Sequence, residues 1–248
     1  MEPAREPWYQ FAVTIFKPLM WLLYTWEFRG QDKLPRTGGA IIAANHISHA
    51  DPFPVALFVH NGGRRPRFMA KKSVFRIPLF GRIVRGIHTI PVDRHTADAH
   101  LALAAAVDAV KAGEVVVIYP EGTVTKDPDM WPMRAKTGAA RLALETGAPV
   151  IPLGQWGVQD FLSRGKFRPF PRKRLQVVAG DPVDLDDWRD APLTAQSLQA
   201  ATAAITAALT EVVAGLRAEP PPAVPFDPRA AIAAAPAPSP DDDTRRSA

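Results

Sequence analysis

Four consecutive β-branched residues, Val115-Val116-Val117-Ile118, admit few folds. A run with no polar residue on either side forms a strand covered on both faces, as the strands of parallel sheets are. Tyr119-Pro120-Glu121-Gly122-Thr123 follows, so the strand ends in a polar loop. The same arrangement recurs earlier, where the apolar run 40–44 leads into Asn45-His46-Ile47-Ser48-His49-Ala50-Asp51-Pro52. A third buried run is predicted at 149–153, shorter strands at 66–70 and 87–92, and a strand near a sheet edge at 174–179. Between them lie helix signals: 53–59 after Asp51-Pro52, an Ala/Leu-rich stretch over 96–112 stopped by Gly113, then 137–147 and 193–216. Residues 71–85 are basic and broken by Pro78 and Gly81. Strands alternating with helices predict an α/β fold, a largely parallel central sheet flanked by helices. Such folds keep their chemistry at strand ends.

A chain of 248 residues that is 47% hydrophobic suffices for one core. The formal charge of +5 and a pI near 9.7 favour anionic partners, whether phosphorylated metabolites, an acidic membrane surface or nucleic acid. Nucleic acid is disfavoured, because the aromatics do not interleave with the basic runs as a stacking platform requires. With no cysteine, disulfides, thiolate ligands and a cysteine nucleophile are excluded.

Residues 8–28 are almost wholly apolar and aromatic, interrupted by Lys17, Pro18 and Glu27. A charge and a helix breaker at the centre oppose a transmembrane span. Tryptophans at such a segment suit a helix lying in the membrane interface, with a core helix as the competing reading. A secretory signal does not fit, since Arg5 is offset by Glu2 and Glu6. Beyond Arg217 come Pro220-Pro221-Pro222, an Ala/Pro run and Asp241-Asp242-Asp243, a composition that predicts disorder. The expected organisation is a membrane-interface helix over 1–28, a catalytic domain over 29–217 and a disordered tail over 218–248.

His46 and Asp51 stand five apart in the first polar turn. An imidazole can take a proton near neutral pH, and a carboxylate can hold its other nitrogen in one tautomer. Asp51-Pro52 is also a helix N-cap with proline at the first helical position, and the two roles are compatible. A metal held by His46 and His49 would find no third ligand but Asp51. Ser48 lacks the Gly-x-Ser-x-Gly setting of a hydrolase nucleophile.

Four separated stretches, in order from about Gly30 to Asp184, resemble the glycerolipid acyltransferases. Asn45-His46-x4-Asp51 is similar to their catalytic motif, and Lys72-x2-Phe75-x6-Arg82 with Phe80-Gly81 to their second. Pro120-Glu121-Gly122-Thr123 is similar to the third, and Val150-Ile151-Pro152 to the fourth. The family pattern continues Glu-Gly-Thr with Arg or Ser. Val124 stands there instead, which makes Lys126 the nearest replacement cation.

The resemblance implies transfer of a fatty acyl group from acyl-CoA or acyl carrier protein to the free hydroxyl of 1-acyl-sn-glycerol-3-phosphate, at the cell membrane and facing the cytoplasm. His46 would be the general base, oriented by Asp51. Lys72 and Arg82 would grip the acceptor phosphate, with Phe75, Glu121, Gly122, Thr123 and Lys126 around the acceptor pocket. Ile151 and Pro152 would close the core and the acyl channel. A thioester is already activated, so neither cofactor nor metal is expected. Competing readings are another lysophospholipid or glycolipid acceptor, a thioesterase using the same His/Asp pair on water, and a non-catalytic binder of acidic surfaces using 64–85 and 164–174.

Overall fold

The computed structural model describes residues 7–78, 80–92, 99–163, 166–168 and 170–230. In chain order it comprises α1 (Pro7–Leu23), β1 (Tyr24–Arg29), β2 (Ala40–Ala44), α2 (Pro52–Asn61), β3 (Pro66–Lys71), α3 (Phe80–Gly86) and β4 (Ile90–Val92). There follow α4 (Ala99–Lys111), β5 (Val115–Ile118), α5 (Gly138–Thr146) and β6 (Val150–Trp156). A two-stranded hairpin of β7 (Leu162–Ser163) and β8 (Lys166–Phe167) precedes β9 (Lys173–Ala179), α6 (Asp186–Arg189) and α7 (Ala195–Arg217).

Seven strands form one sheet in the order β1-β9-β6-β2-β5-β3-β4. Every pair is parallel except β6 with β9, so β1 and β9 run against the other five. Strand β2 shows why the sheet is covered twice. Ile42 and Ala44 pack with Leu57 and Phe58 of α2, whereas Ile41 and Ala43 pack with Ala106 of α4, Leu142 of α5 and Ile205 of α7. A five-residue run with no polar member thereby serves two cores.

The amino-terminal segment divides in a way its apolar run conceals. Its helix stops at Leu23, and Tyr24 to Arg29 pair with Lys173 to Val178 as the edge strand. Strand β9 therefore lies one place in from the edge, and the boundary drawn at residue 28 falls inside β1. Arg172 donates to the carbonyls of Trp21 and Tyr24, satisfying acceptors that the end of α1 leaves open.

Helix α7 is long and apolar enough to cross a membrane, yet it lies on β6. A Cβ on Gly154 would meet Val212 Cγ1 at 2.7 Å, so only glycine admits this approach. Thr194 and Ser197 close a reciprocal capping box at its start. Of the tail expected to be disordered, residues 218–230 are described, and the remainder lies outside the described residues. The described part makes defined contacts: Arg134 donates its backbone N–H to Phe226 O and pairs with Asp227 at 2.9 Å.

Candidate active site

The carboxyl end of β2 is pinned from both sides. Asn45 Nδ2 donates to Gln155 O, while the Gln155 backbone N–H donates to Asn45 Oδ1 and its side-chain amide to Asn45 O. Both residues are fully buried, which locks β2 to β6 where the strand leaves the sheet. His46, the next residue, donates its backbone N–H to Glu121 Oε1 at 3.0 Å and accepts from the Thr125 N–H at 2.7 Å. The two polar strand-end loops are thereby stitched together at the imidazole.

Asp51 has no exposed surface. Its Oδ2 accepts from His46 Nδ1 at 2.8 Å, from the Ile47 N–H at 2.6 Å and from the Ser48 N–H at 2.9 Å. A proton on Nδ1 leaves Nε2 as the open, basic nitrogen. Burial pushes the Asp51 carboxyl up, against the pull of the His46, Ser48 and Ile47 bonds. Asp51 does stand at the N-cap of α2 with Pro52 opening the helix, as its sequence suggests, but its side chain makes no cap hydrogen bond. It turns back because the imidazole and two N–H groups of its own turn compete for one oxygen.

Glu121 is 5% exposed, and its second oxygen accepts from the Met133 N–H at 3.1 Å. Both oxygens are thus taken by backbone, and burial pushes the carboxyl up to about 8. The loop carrying Met133 is itself clamped by Arg217, whose guanidinium lies 4.0 Å from the Trp131 ring and 4.6 Å from the Trp156 ring and donates to Asp129 O.

An apolar cavity of about 560 Å³ opens beside His46. It runs along α2 past Phe53, Ala56 and Leu57 to His60, with Tyr9, Val13 and Phe16 of α1 and Phe68 of β3 as further walls. From Pro52 to His60 the helix rises about 12 Å at ~1.5 Å per residue. Thr123 and Val124 line the cavity, as does Lys71. At the far end, Tyr9 Oη and His60 Nδ1 are 2.9 Å apart, and burial, with Lys17 and Arg65 nearby, holds the His60 imidazole below its ordinary range.

The second motif folds as one unit beside this cavity. Residues Lys72–Arg76 form a 3-10 turn and α3 packs on it. A Cβ on Gly81 would sit 2.3 Å from Phe75 O, and Arg85 donates to the same carbonyl at 2.7 Å. Lys72 and Arg82 are both exposed on this unit. Lys126 is exposed too, but it is not among the residues lining the cavity, and its backbone N–H is held by Met133 Sδ. Closer to the third motif is Lys136, whose Nζ would lie 3.2 Å from a Cβ on Gly122. Ile151 and Pro152 are buried in β6 and do not line the cavity.

Some participants are not evident from sequence. Tyr119 stacks on His46, and α1 supplies a cavity wall, although its apolar run points equally to membrane or core. No spacing rule leads to Lys136.

Comparisons with known proteins bear on the family and the fold. The 1-acyl-sn-glycerol-3-phosphate acyltransferase of Bacillus subtilis is 27% identical over 204 residues, covering 82% of this chain and 96% of that one. The enzyme of the same name from Limnanthes douglasii is 31% identical over 151 residues, 60% of this chain and 52% of that one. In fold, the chain is similar to the crystal structure of the 1-acyl-sn-glycerophosphate (LPA) acyltransferase PlsC of Thermotoga maritima. The TM-score is 0.67 at 22% identity, covering 90% of this chain and 86% of that one. A family model described as Acyltransferase spans residues 25–156, more than half of the sequence and all of the site from Asn45 to Trp156, and on that ground the chain belongs to the acyltransferase family.

Proposed function

We propose that this acyltransferase moves a fatty acyl group from acyl-CoA or acyl carrier protein to the free hydroxyl of 1-acyl-sn-glycerol-3-phosphate, giving phosphatidic acid. The observation that carries the reading is a buried Asp51 holding His46 Nδ1 at 2.8 Å at the side of a long apolar cavity. His46 Nε2 takes the hydroxyl proton as the oxygen attacks the thioester carbonyl, and Asp51 supports the imidazolium that forms. Collapse of the tetrahedral intermediate breaks the C–S bond, and His46 returns the proton to the departing thiol. The acyl chain lies along α2, in a cavity whose walls suit an alkyl chain and exclude water.

The acceptor phosphate is assigned to the basic face carried by the second motif, with Lys72 and Arg82 as its grips and Phe75 as the pivot on which that unit is built. Gly122 and Thr123 shape the pocket opposite. Glu121 acts through the His46 backbone, which its carboxyl group holds. The relatives' names supply the acceptor, and their substrate fits a site that pairs cations with an apolar cavity. The exposed apolar side of α1 supports a peripheral or monotopic place on an anionic membrane, with the site open to the cytoplasm.

The test is thiol release from acyl-CoA with and without lysophosphatidic acid. Release that needs the acceptor, and yields phosphatidic acid, is the expected result. Equal thiol release without acceptor would make the protein a thioesterase, and turnover on a different lysophospholipid alone would overturn the acceptor.

A further inference from the structure

Tyr119 closes β5 one residue before the Pro120-Glu121-Gly122 turn, and its ring lies 4.3 Å from the His46 imidazole with the planes 22° apart. This is a face-on stack. A buried tyrosine ordinarily anchors its hydroxyl to a partner, because an unpaired buried O–H is costly. The Tyr119 hydroxyl is buried and has no hydrogen-bond partner among the described residues. Burial, and then the Asp51 charge, push this phenol well above its ordinary range, so it stays neutral and does not compete with His46 for protons. What Tyr119 presents to the site is its π-face.

The geometry points to Tyr119 as a positioning residue for the base, fixing the imidazole plane and lying face-on to the imidazolium that forms during transfer, as a cation–π contact requires. This rests on His46 being the base. Three restraints then act on one ring: Asp51 at Nδ1, Glu121 through the backbone N–H, and Tyr119 on the face. The other groups around this pair are His49, edge-on to His46 at 6.5 Å, and Tyr24 of β1, whose phenol is raised by burial and by Asp51. The His49 ring stands at 88° to the imidazole and is not stacked on it. Attraction between a cation and a ring face grows as water is excluded. The His46 side chain is 14% exposed, so the contact works in a largely dry setting.

Tyr119→Phe keeps the face and drops only the hydroxyl, whereas Tyr119→Leu keeps an apolar covering and drops the π-face. The experiment compares both with wild type across pH, with lysophosphatidic acid and acyl-CoA as substrates. Tyr119→Leu should lose roughly 2- to 30-fold in kcat at the pH plateau, with KM for the acceptor little changed. The acidic limb of its kcat/KM profile should move to lower pH by roughly 0.4–1.5 units, because the protonated base has lost a stabilising contact. Tyr119→Phe should restore both the rate and the limb, and thermal melts check that each variant is folded.

A Tyr119→Leu enzyme with wild-type kcat and an unmoved limb would overturn the inference. So would a Tyr119→Phe enzyme as impaired as the Leu variant, since the hydroxyl would then be what matters. His46→Ala, run alongside, separates the two levels of the argument. Turnover surviving in that variant removes the base itself, whereas a dead His46→Ala beside an unaffected Tyr119→Leu removes only the stack.

Discussion

Asp51→Asn separates charge from geometry. Oδ2 of Asp51 meets three donors, and two of them are backbone N–H groups of Ile47 and Ser48. Neither can turn away, so an asparagine must place its amide oxygen there and its NH₂ at the Oδ1 position. The Nδ1–H of His46 therefore keeps an acceptor and its tautomer. What the variant loses is the negative charge facing the imidazolium, on a side chain without exposed surface. Removing one member of a buried pair costs about 3–5 kcal/mol, and the surviving neutral hydrogen bond returns about 0.5–1.5. The net, on the order of 2–4 kcal/mol at the transition state, is a loss of about 30- to 1000-fold in kcat. Asp51→Ala should be worse in both rate and stability, because it leaves the Ile47 and Ser48 N–H groups buried and unpaired at about 1–3 kcal/mol each. Thiol-release kinetics and urea unfolding on the two variants measure these quantities. Asn and Ala variants equally impaired in rate and equally stable would refute the reasoning, as would an Asn variant within threefold of wild type.

Gly81→Ala drives a Cβ into the backbone carbonyl of Phe75, so it should lower the melting temperature and raise KM for the acceptor together. Unchanged KM would separate the Phe75–Gly81 contact from acceptor binding. Arg82→Ala should lower kcat/KM for lysophosphatidic acid at least about tenfold, mostly through KM, since the phosphate keeps its charge throughout the reaction; a neutral monoacylglycerol acceptor should be spared, and equal losses on both would make Arg82 structural. The Glu121 carboxyl rises from its ordinary 4.5 to about 8 in the fold. Between those values the folded state holds a proton that the unfolded chain has released, so stability should fall as pH rises through the window and level off above it. Urea midpoints measured from acid to alkaline pH should show that fall, and Glu121→Gln should flatten it.

The uninterrupted apolar runs at β2, β5 and β6 were legible because burial on both faces leaves no other composition. They carry His46 and Glu121 to the same end of the sheet; the His46/Asp51 pair was readable from its spacing, whereas Glu121 was named only through the family resemblance. Strand β1 was harder. Tyr24-Thr25-Trp26-Glu27-Phe28-Arg29 alternates aromatic with polar residues as a half-buried strand should, yet the apolar helix before it masks the change of period. The helix at 53–59 and the turn at Asp51-Pro52 were legible as a start signal, but the direction of the Asp51 side chain was not, because it depends on which donors the folded turn presents. Lys136 and Lys126 show the same limit. Both belong to a 19-residue connection between β5 and α5 (residues 119–137), and which of them comes near Gly122 is decided by how Met133, Trp131 and Arg217 pack the loop, not by distance along the chain.

Helix α1 carries the last test. One side of it walls the cavity through Tyr9, Val13 and Phe16, with Phe16 against Phe53 at 4.8 Å. Another side presents Trp8, Phe11, Ile15, Leu19 and Leu22, spaced three and four apart and each 40–59% exposed. Deleting residues 1–28 would remove the cavity wall and the edge strand β1 with the helix, so a loss of vesicle binding would carry no message about the surface. Substituting Phe11, Ile15 and Leu22 by serine leaves the wall and the strand in place. Each side chain would bury roughly half its surface on entering a bilayer, about 1 kcal/mol apiece out of the 1.5–3 for full burial. The triple variant should then partition onto anionic vesicles about 30- to 1000-fold more weakly, with an unchanged melting temperature. Its turnover on detergent-dispersed substrate should stay near wild type while turnover on vesicle-borne substrate falls. Wild-type sedimentation with anionic vesicles would show that this stripe is not the membrane contact. Equal loss on dispersed and vesicle-borne substrate would mean that the outer face of α1 shapes the cavity after all.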